Sequence, residues 1–167
     1  EIIVGYDDGQ TLEAMLGELL KSEGVTLALA ESCTGGELAS TLTSIPGASA
    51  YFKGGLVSYA TQSKIDILGV EAELIKTHSV VSAEVAKAMA LNVKRIYKAD
   101  YALSTTGNAG PTKGDASAEV GTVFIGLATP HEVYAFEFTM GNHRERVITK
   151  TVNKAMELLQ KELLKKR

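Results

Sequence analysis

The sequence predicts an α/β fold: a three-layer α/β/α domain with a mixed, mostly parallel sheet and a late β-hairpin. Three observations carry that expectation. Short apolar runs suited to buried strands alternate with stretches of helical periodicity in the first part of the chain. Two β-branched and aromatic runs then flank Pro130-His131, as in a hairpin. A long amphipathic segment closes the chain. The 167 residues suit one hydrophobic core. With 45% apolar and 22% charged residues, the composition is that of an ordinary globular protein. No repeat, low-complexity tract or internal linker divides it, so 1–167 is read as one domain, with 1–10 a polar lead-in.

The elements follow in order. Thr11 is placed to cap a helix with Leu12, Met15, Leu16, Leu19 and Leu20 on its apolar face, and Gly24 to end it. Residues 25–30 read as a buried strand. Thr34-x-x-Glu37 has the form of a capping box, which predicts a helix over 34–43 with Thr34 as N-cap, stopping near Pro46-Gly47. Residues 51–59 include a strand around Gly54-Gly55. Short helices are expected over 62–68 and 71–76, divided by Gly69. Ser82 caps a longer helix to about Tyr97, with Val85, Met89, Val93 and Ile96 facing inward. Residues 102–105 read as a strand and 107–119 as a polar, glycine-rich loop. Strands over 120–128 and 132–138 make the hairpin, and a helix spans 144–164.

Composition narrows the function. A net charge of −3 argues against nucleic acid or a membrane surface as the main partner. No apolar run approaches the roughly 20 residues of a membrane span, and no signal-peptide pattern is visible. The single cysteine, Cys33, has no partner for an internal disulfide, which predicts a reducing, cytoplasmic setting. His78, His131 and His143 lie far apart without metal-ligand spacing. GxSxG and Walker A patterns are absent.

Three loops concentrate the chemistry. In "LALAESCTGGELAS" an apolar strand stops at Glu31-Ser32-Cys33-Thr34-Gly35-Gly36 and a helix follows. Backbone N–H groups in such a turn can hold an anion or oxyanion, and Ser32 sits where open α/β sheets place their ligands. Taken alone, a Gly-Gly turn is more simply a tight connection. In "VSYATQSKIDILG", Lys64 falls early in a short helix, facing the positive end of the dipole. That position would lower the pKa of its amine, as a lysine base requires; a single lysine is more often solvated. In "STTGNAGPTKGDASAEVGT", a strand again ends on hydroxyls and opens into a long loop, a form that is often functional. Cys33 near a helix start is a candidate nucleophile, though a small buried thiol is the simpler role.

Together, "LALAESCTGGELASTLTSIPGASAYFKGGLVSYATQSKIDILGV", "HSVVSAEVAKAMA" and "TTGNAGPTKG…VGTVFIGLAT" resemble the C-terminal domain of the competence/damage-inducible CinA family, the nicotinamide mononucleotide (NMN) deamidase (PncC). The resemblance runs from about Leu12 to the final helix. It implies a Ser/Lys hydrolase that converts NMN and water to nicotinate mononucleotide and ammonia, with no metal or organic cofactor, most simply as a homodimer in pyridine nucleotide recycling. Carried over by motif, Ser32 is the nucleophile, Lys64 the base and Tyr59 a hydroxyl that relays or orients a proton. Thr34, Gly35 and Gly36 would contact the oxyanion or substrate. Thr106, Gly107 and Asn108 belong to the substrate-lining TGxAGP loop, and Arg144 to a phosphate contact. The lead-in resembles the segment that joins this domain to upstream CinA domains in longer chains. Three departures stand out: Asn108 replaces an apolar residue, Glu119 stands where proline is usual, and the last helix opens "GNHRER" in place of the more typical "GDRE" around Arg144. They leave two other readings open, a non-catalytic nucleotide-binding or assembly module with an altered 108–119 loop, or an amidase for another carboxamide.

Overall fold

The structure, a computed structural model, describes residues 9–114 and 116–165. Nearly all of the expected 1–10 lead-in lies outside the described residues. Among the described residues, five strands form one sheet in the order β2-β1-β3-β4-β5. They are β1 (Leu27–Glu31), β2 (Phe52–Val57), β3 (Tyr101–Gly107), β4 (Thr122–Ala128) and β5 (Val133–Thr139). β1 pairs in parallel with β2 and with β3, while β4 is antiparallel to β3 and to β5. β4 is therefore the one reversed strand, and β1, β2, β3 and β5 all end at the same edge. Helices α1 (Leu12–Glu23), α2 (Glu37–Thr43), α3 (Thr61–Asp66), α4 (Ala72–His78), α5 (Ala83–Tyr97) and α6 (Arg144–Leu164) complete the domain. No helix among the described residues is long and apolar enough to cross a membrane.

Side-chain alternation in the strands sets the layers. Leu27 and Leu29 of β1 join Leu103, Ile125 and Leu127 in a core shared with α1, α2 and α6. Ala28 and Ala30 point the other way, with Ala102 and Ala128, onto Val85, Met89, Ala90 and Val93 of α5. Small residues on that face let α5 lie close to the sheet. Ser104 Oγ donates to the Ala86 carbonyl at 2.6 Å. A Cβ on Gly126 would come within 2.4 Å of that same oxygen.

Several local signals act as expected. The Thr11 and Ser82 side chains accept from the N–H groups of Ala14 and Val85, and Gly24 ends α1 in the left-handed region at φ 68°. Ile96 departs from expectation: it is 51% exposed, and Ala86 and Ala90 complete the inner face of α5 instead. The helix expected from Thr34 also differs. α2 starts at Glu37 behind Gly36, at φ 102°, and no side chain at that N-cap accepts a bond. The Glu31 carboxylate does the capping from the end of β1, because it is buried directly beneath the first turn.

Candidate active site

The common edge of the parallel strands brings the three loops together. Ser32 follows β1, Tyr59 and Lys64 follow β2, and Thr106 to Gly110 continue from β3. β5 ends at the same edge, so α6 begins there and delivers Arg144. These segments enclose a cavity of about 420 Å³, lined by Ser32, Cys33, Tyr59, Lys64, Val80, Val81, Thr106, Gly107, Asn108, Lys113 and Arg144, among others. That volume is in the range of small-molecule sites, about 300–1,000 Å³.

Lys64 is 1% exposed, although it stands on a six-residue surface helix. Helical side chains lean toward the N-terminus, so its amine reaches back over the turn before α3. Nζ donates to the Ser58 carbonyl at 2.7 Å and to the Tyr59 carbonyl at 3.3 Å. It lies 2.8 Å from Ser32 Oγ. Both carbonyls can only accept. A neutral amine that gives them its two protons therefore turns its lone pair to the serine hydroxyl, the arrangement in which an amine can take the hydroxyl proton. Ser32 is itself 8% exposed and opens into the cavity. Its backbone N–H donates to the Thr105 carbonyl at 3.1 Å and to Thr105 Oγ1 at 3.2 Å.

The turn after Ser32 is wired differently from the capping-box expectation. Glu31 is 1% exposed. Its Oε1 accepts from Thr34 Oγ1 at 2.6 Å, from Gly36 N–H at 3.1 Å and from Leu38 N–H at 3.0 Å. Its Oε2 accepts from Ala39 N–H at 2.7 Å. Gly35 N–H donates to the Ser32 carbonyl at 3.0 Å. Thr34, Gly35 and Gly36 are not among the residues that line the cavity. Gly35 and Gly36 spend their N–H groups within the turn, on the Ser32 carbonyl and the Glu31 carboxylate. Glu31 stands inside the quoted motif, yet it escaped selection. Its signal was a carboxylate ending a strand of otherwise apolar residues.

The other candidates divide by what their side chains touch. The Tyr59 hydroxyl is held by Arg144 Nη2 at 2.8 Å, and no hydrogen bond joins it to Ser32 or Lys64 among the described residues. Arg144 Nη1 donates to the Gly110 carbonyl. The arginine thus straps α6 to the β2–α3 turn and to the loop after β3, with further donors left over. Thr106 Oγ1 donates to the Val80 carbonyl at 2.9 Å, fixing the apolar wall of Val80 and Val81, which the sequence did not single out. Asn108 is buried and braces its own loop: Nδ2 donates to the Ala118 carbonyl at 3.1 Å. Glu119 is an exposed side chain paired with Lys113 at 3.2 Å and is not part of the cavity lining. The two departures within this loop, Asn108 and Glu119, find their partners in the loop itself. Cys33 lines the cavity, but burial pushes its thiol up to about 12, outweighing the contacts that pull it down. A thiol so protonated is a poor nucleophile at neutral pH.

Comparison with known proteins agrees with this architecture. The chain is 52% identical to a CinA-like protein of Flavobacterium psychrophilum over 99% of its own length and 40% of that protein's. It is 45% identical to a CinA-like protein of Geotalea daltonii over 95% of its length and 38% of that protein's. The chain therefore spans about 40% of the length of the curated relatives it matches. The competence damage-inducible protein A of Klebsiella pneumoniae superposes with a TM-score of 0.88 at 30% identity, covering 92% of this chain and 95% of that one. A competence/damage inducible protein of Agrobacterium tumefaciens gives 0.84 at 35% identity, covering 89% and 91%. Residues 9–163 match the model of the CinA C-terminal domain, and the chain belongs to the CinA family.

Proposed function

We propose that the chain is an amidase that hydrolyses the carboxamide of NMN to nicotinate mononucleotide and ammonia. The observation that carries this reading is the buried Lys64 amine, 2.8 Å from Ser32 Oγ and within hydrogen-bond reach of the Ser58 and Tyr59 carbonyls, at the wall of a nucleotide-sized cavity. Ser32 Oγ attacks the carboxamide carbon and its proton passes to Lys64. The oxyanion that forms is met by backbone N–H groups that follow the nucleophile, beginning with Cys33, which lines the cavity. The tetrahedral adduct collapses as Lys64 returns the proton to the leaving nitrogen, releasing ammonia and an ester on Ser32. Water then attacks the ester with Lys64 as base, and the carboxylate leaves as Ser32 regains its proton.

Arg144 places positive charge at the cavity wall, suited to the 5′-phosphate. Tyr59, half exposed and held by Arg144, serves as a wall for the ligand in this reading, in place of the proton relay expected from the resemblance. A homodimer and a cytoplasmic setting belong to the same reading, as implications of the family resemblance. The altered 108–119 loop does not favour a binding-only module, since Asn108 and Glu119 are both engaged within the loop. The test is product identification from NMN with the purified chain and no added cofactor. Nicotinate mononucleotide and ammonia in equal amounts are expected. Binding of NMN without ammonia release would overturn the reading.

A further inference from the structure

The hydrogen bonds behind Ser32 run in one direction. All four groups bonded to the Glu31 carboxylate are donors, so it acts purely as an acceptor. The Thr34 hydroxyl spends its only proton on it. The 2.9 Å contact between Thr34 Oγ1 and Thr105 Oγ1 then requires Thr105 to donate. Thr105 Oγ1 then accepts from the backbone N–H of Ser32 at 3.2 Å, and the protonated Cys33 thiol also lies against this oxygen. Glu31, Thr34 and Thr105 are each 3% exposed or less, so water does not compete for these bonds. The main chain of Glu31 reaches the other half of the dyad: its carbonyl accepts from Ser58 N–H at 2.9 Å, and the Ser58 carbonyl holds Lys64.

We propose that Glu31 is a positioning residue for Ser32, acting through Thr34 and Thr105. It does not line the cavity. Its carboxylate grips the first turn of α2 and polarises the two threonine hydroxyls toward itself, which fixes the Ser32 backbone. The inference rests on the reading of Ser32 as nucleophile and is independent of which carboxamide is the substrate.

The experiment follows the rate at which an alkyl fluorophosphonate labels Ser32 in the full chain, read by peptide mass spectrometry. Thr105→Val is the central variant, because it removes one hydroxyl, keeps the side-chain shape and leaves the bond from Ser32 N–H to the Thr105 carbonyl in place. Slower labelling by about tenfold is expected, the kinetic equivalent of one lost hydrogen bond. Thr105→Ser, which keeps the hydroxyl, should label within about twofold of wild type, well under the cost of one hydrogen bond. Glu31→Gln places an amide donor against backbone donors and should label at least as slowly as Thr105→Val. Wild-type labelling by Thr105→Val, or equal slowing by Val and Ser, would overturn the proposal, and so would failure of wild-type Ser32 to label. Labelling of Ser32 without ammonia release from NMN would refute the substrate assignment, while the order among the variants would still decide the role of Glu31.

Discussion

Replacing Lys64 by methionine separates catalysis from folding. Methionine fills most of the lysine's volume and removes the amine. The Ser58 carbonyl then loses its 2.7 Å donor, and a buried acceptor left unpaired costs about 1–3 kcal/mol. The Tyr59 carbonyl loses a longer bond of 3.3 Å beside a half-exposed residue, where water can replace it. Against these losses stands the desolvation of a buried amine, which methionine does not suffer and which is worth a comparable amount. The net stability change is expected within about 2 kcal/mol, or a shift in Tm of less than about 8 °C for a chain of this size. The effect on turnover is of another order. Lys64 serves first as base and then as acid, and each role typically contributes 10²–10⁴-fold, so kcat should fall by at least about 10³-fold. Steady-state ammonia release and thermal unfolding measured on the same preparation check both halves. A kcat within tenfold of wild type, in a folded Lys64→Met protein, would refute the assignment of the base.

Other consequences are equally concrete. Because only the unprotonated amine accepts the serine proton, kcat/KM should rise with pH to a plateau as Lys64 deprotonates; a rate that falls over the same range in a pH profile would contradict it. Arg144→Ala should raise KM for NMN more than it lowers kcat, since the arginine holds Tyr59 and Gly110 and faces the cavity, and steady-state kinetics separates the two. Gly126→Ala forces a Cβ to within 2.4 Å of the Ala86 carbonyl and should cost about 1–3 kcal/mol in denaturant unfolding. The Cys33 thiol titrates near 12 in the folded chain against 9.0 as its ordinary value, so the folded state holds the proton over that interval and stability falls as pH rises from 9 toward 12. Cys33→Ala should remove that part of the alkaline loss, read from unfolding midpoints across the range.

The legible parts of the fold were those set by local chemistry. Thr11 and Ser82 start their helices and Gly24 ends one where the residue types require it, and the Pro130-His131 turn joins two antiparallel strands. The two faces of β1 were also present in the alternation of leucine and alanine. Ile96 was misplaced because its helical spacing places it near the inner stripe of α5, while the sheet is already covered by Ala86 and Ala90. The capping box failed for a tertiary reason. Thr34 and Glu37 have the right spacing, but Glu31 folds beneath the turn and takes the donors first. The meeting of Ser32 with Lys64 joins residues that follow different strands, β1 and β2. Spacing alone cannot measure it, and the motif resemblance supplied that pairing. Val80 and Val81 were invisible as site residues because apolar side chains in a connector carry no chemical signature. Asn108 and Glu119 looked like threats to the site until their partners, Ala118 and Lys113, were placed.

The account stands most directly on ammonia release from NMN by the wild-type chain beside Ser32→Ala. It predicts stoichiometric ammonia and nicotinate mononucleotide from the wild type and no release above background from the variant. Ammonia at an undiminished rate from Ser32→Ala, or free nicotinamide in place of nicotinate mononucleotide, would contradict it.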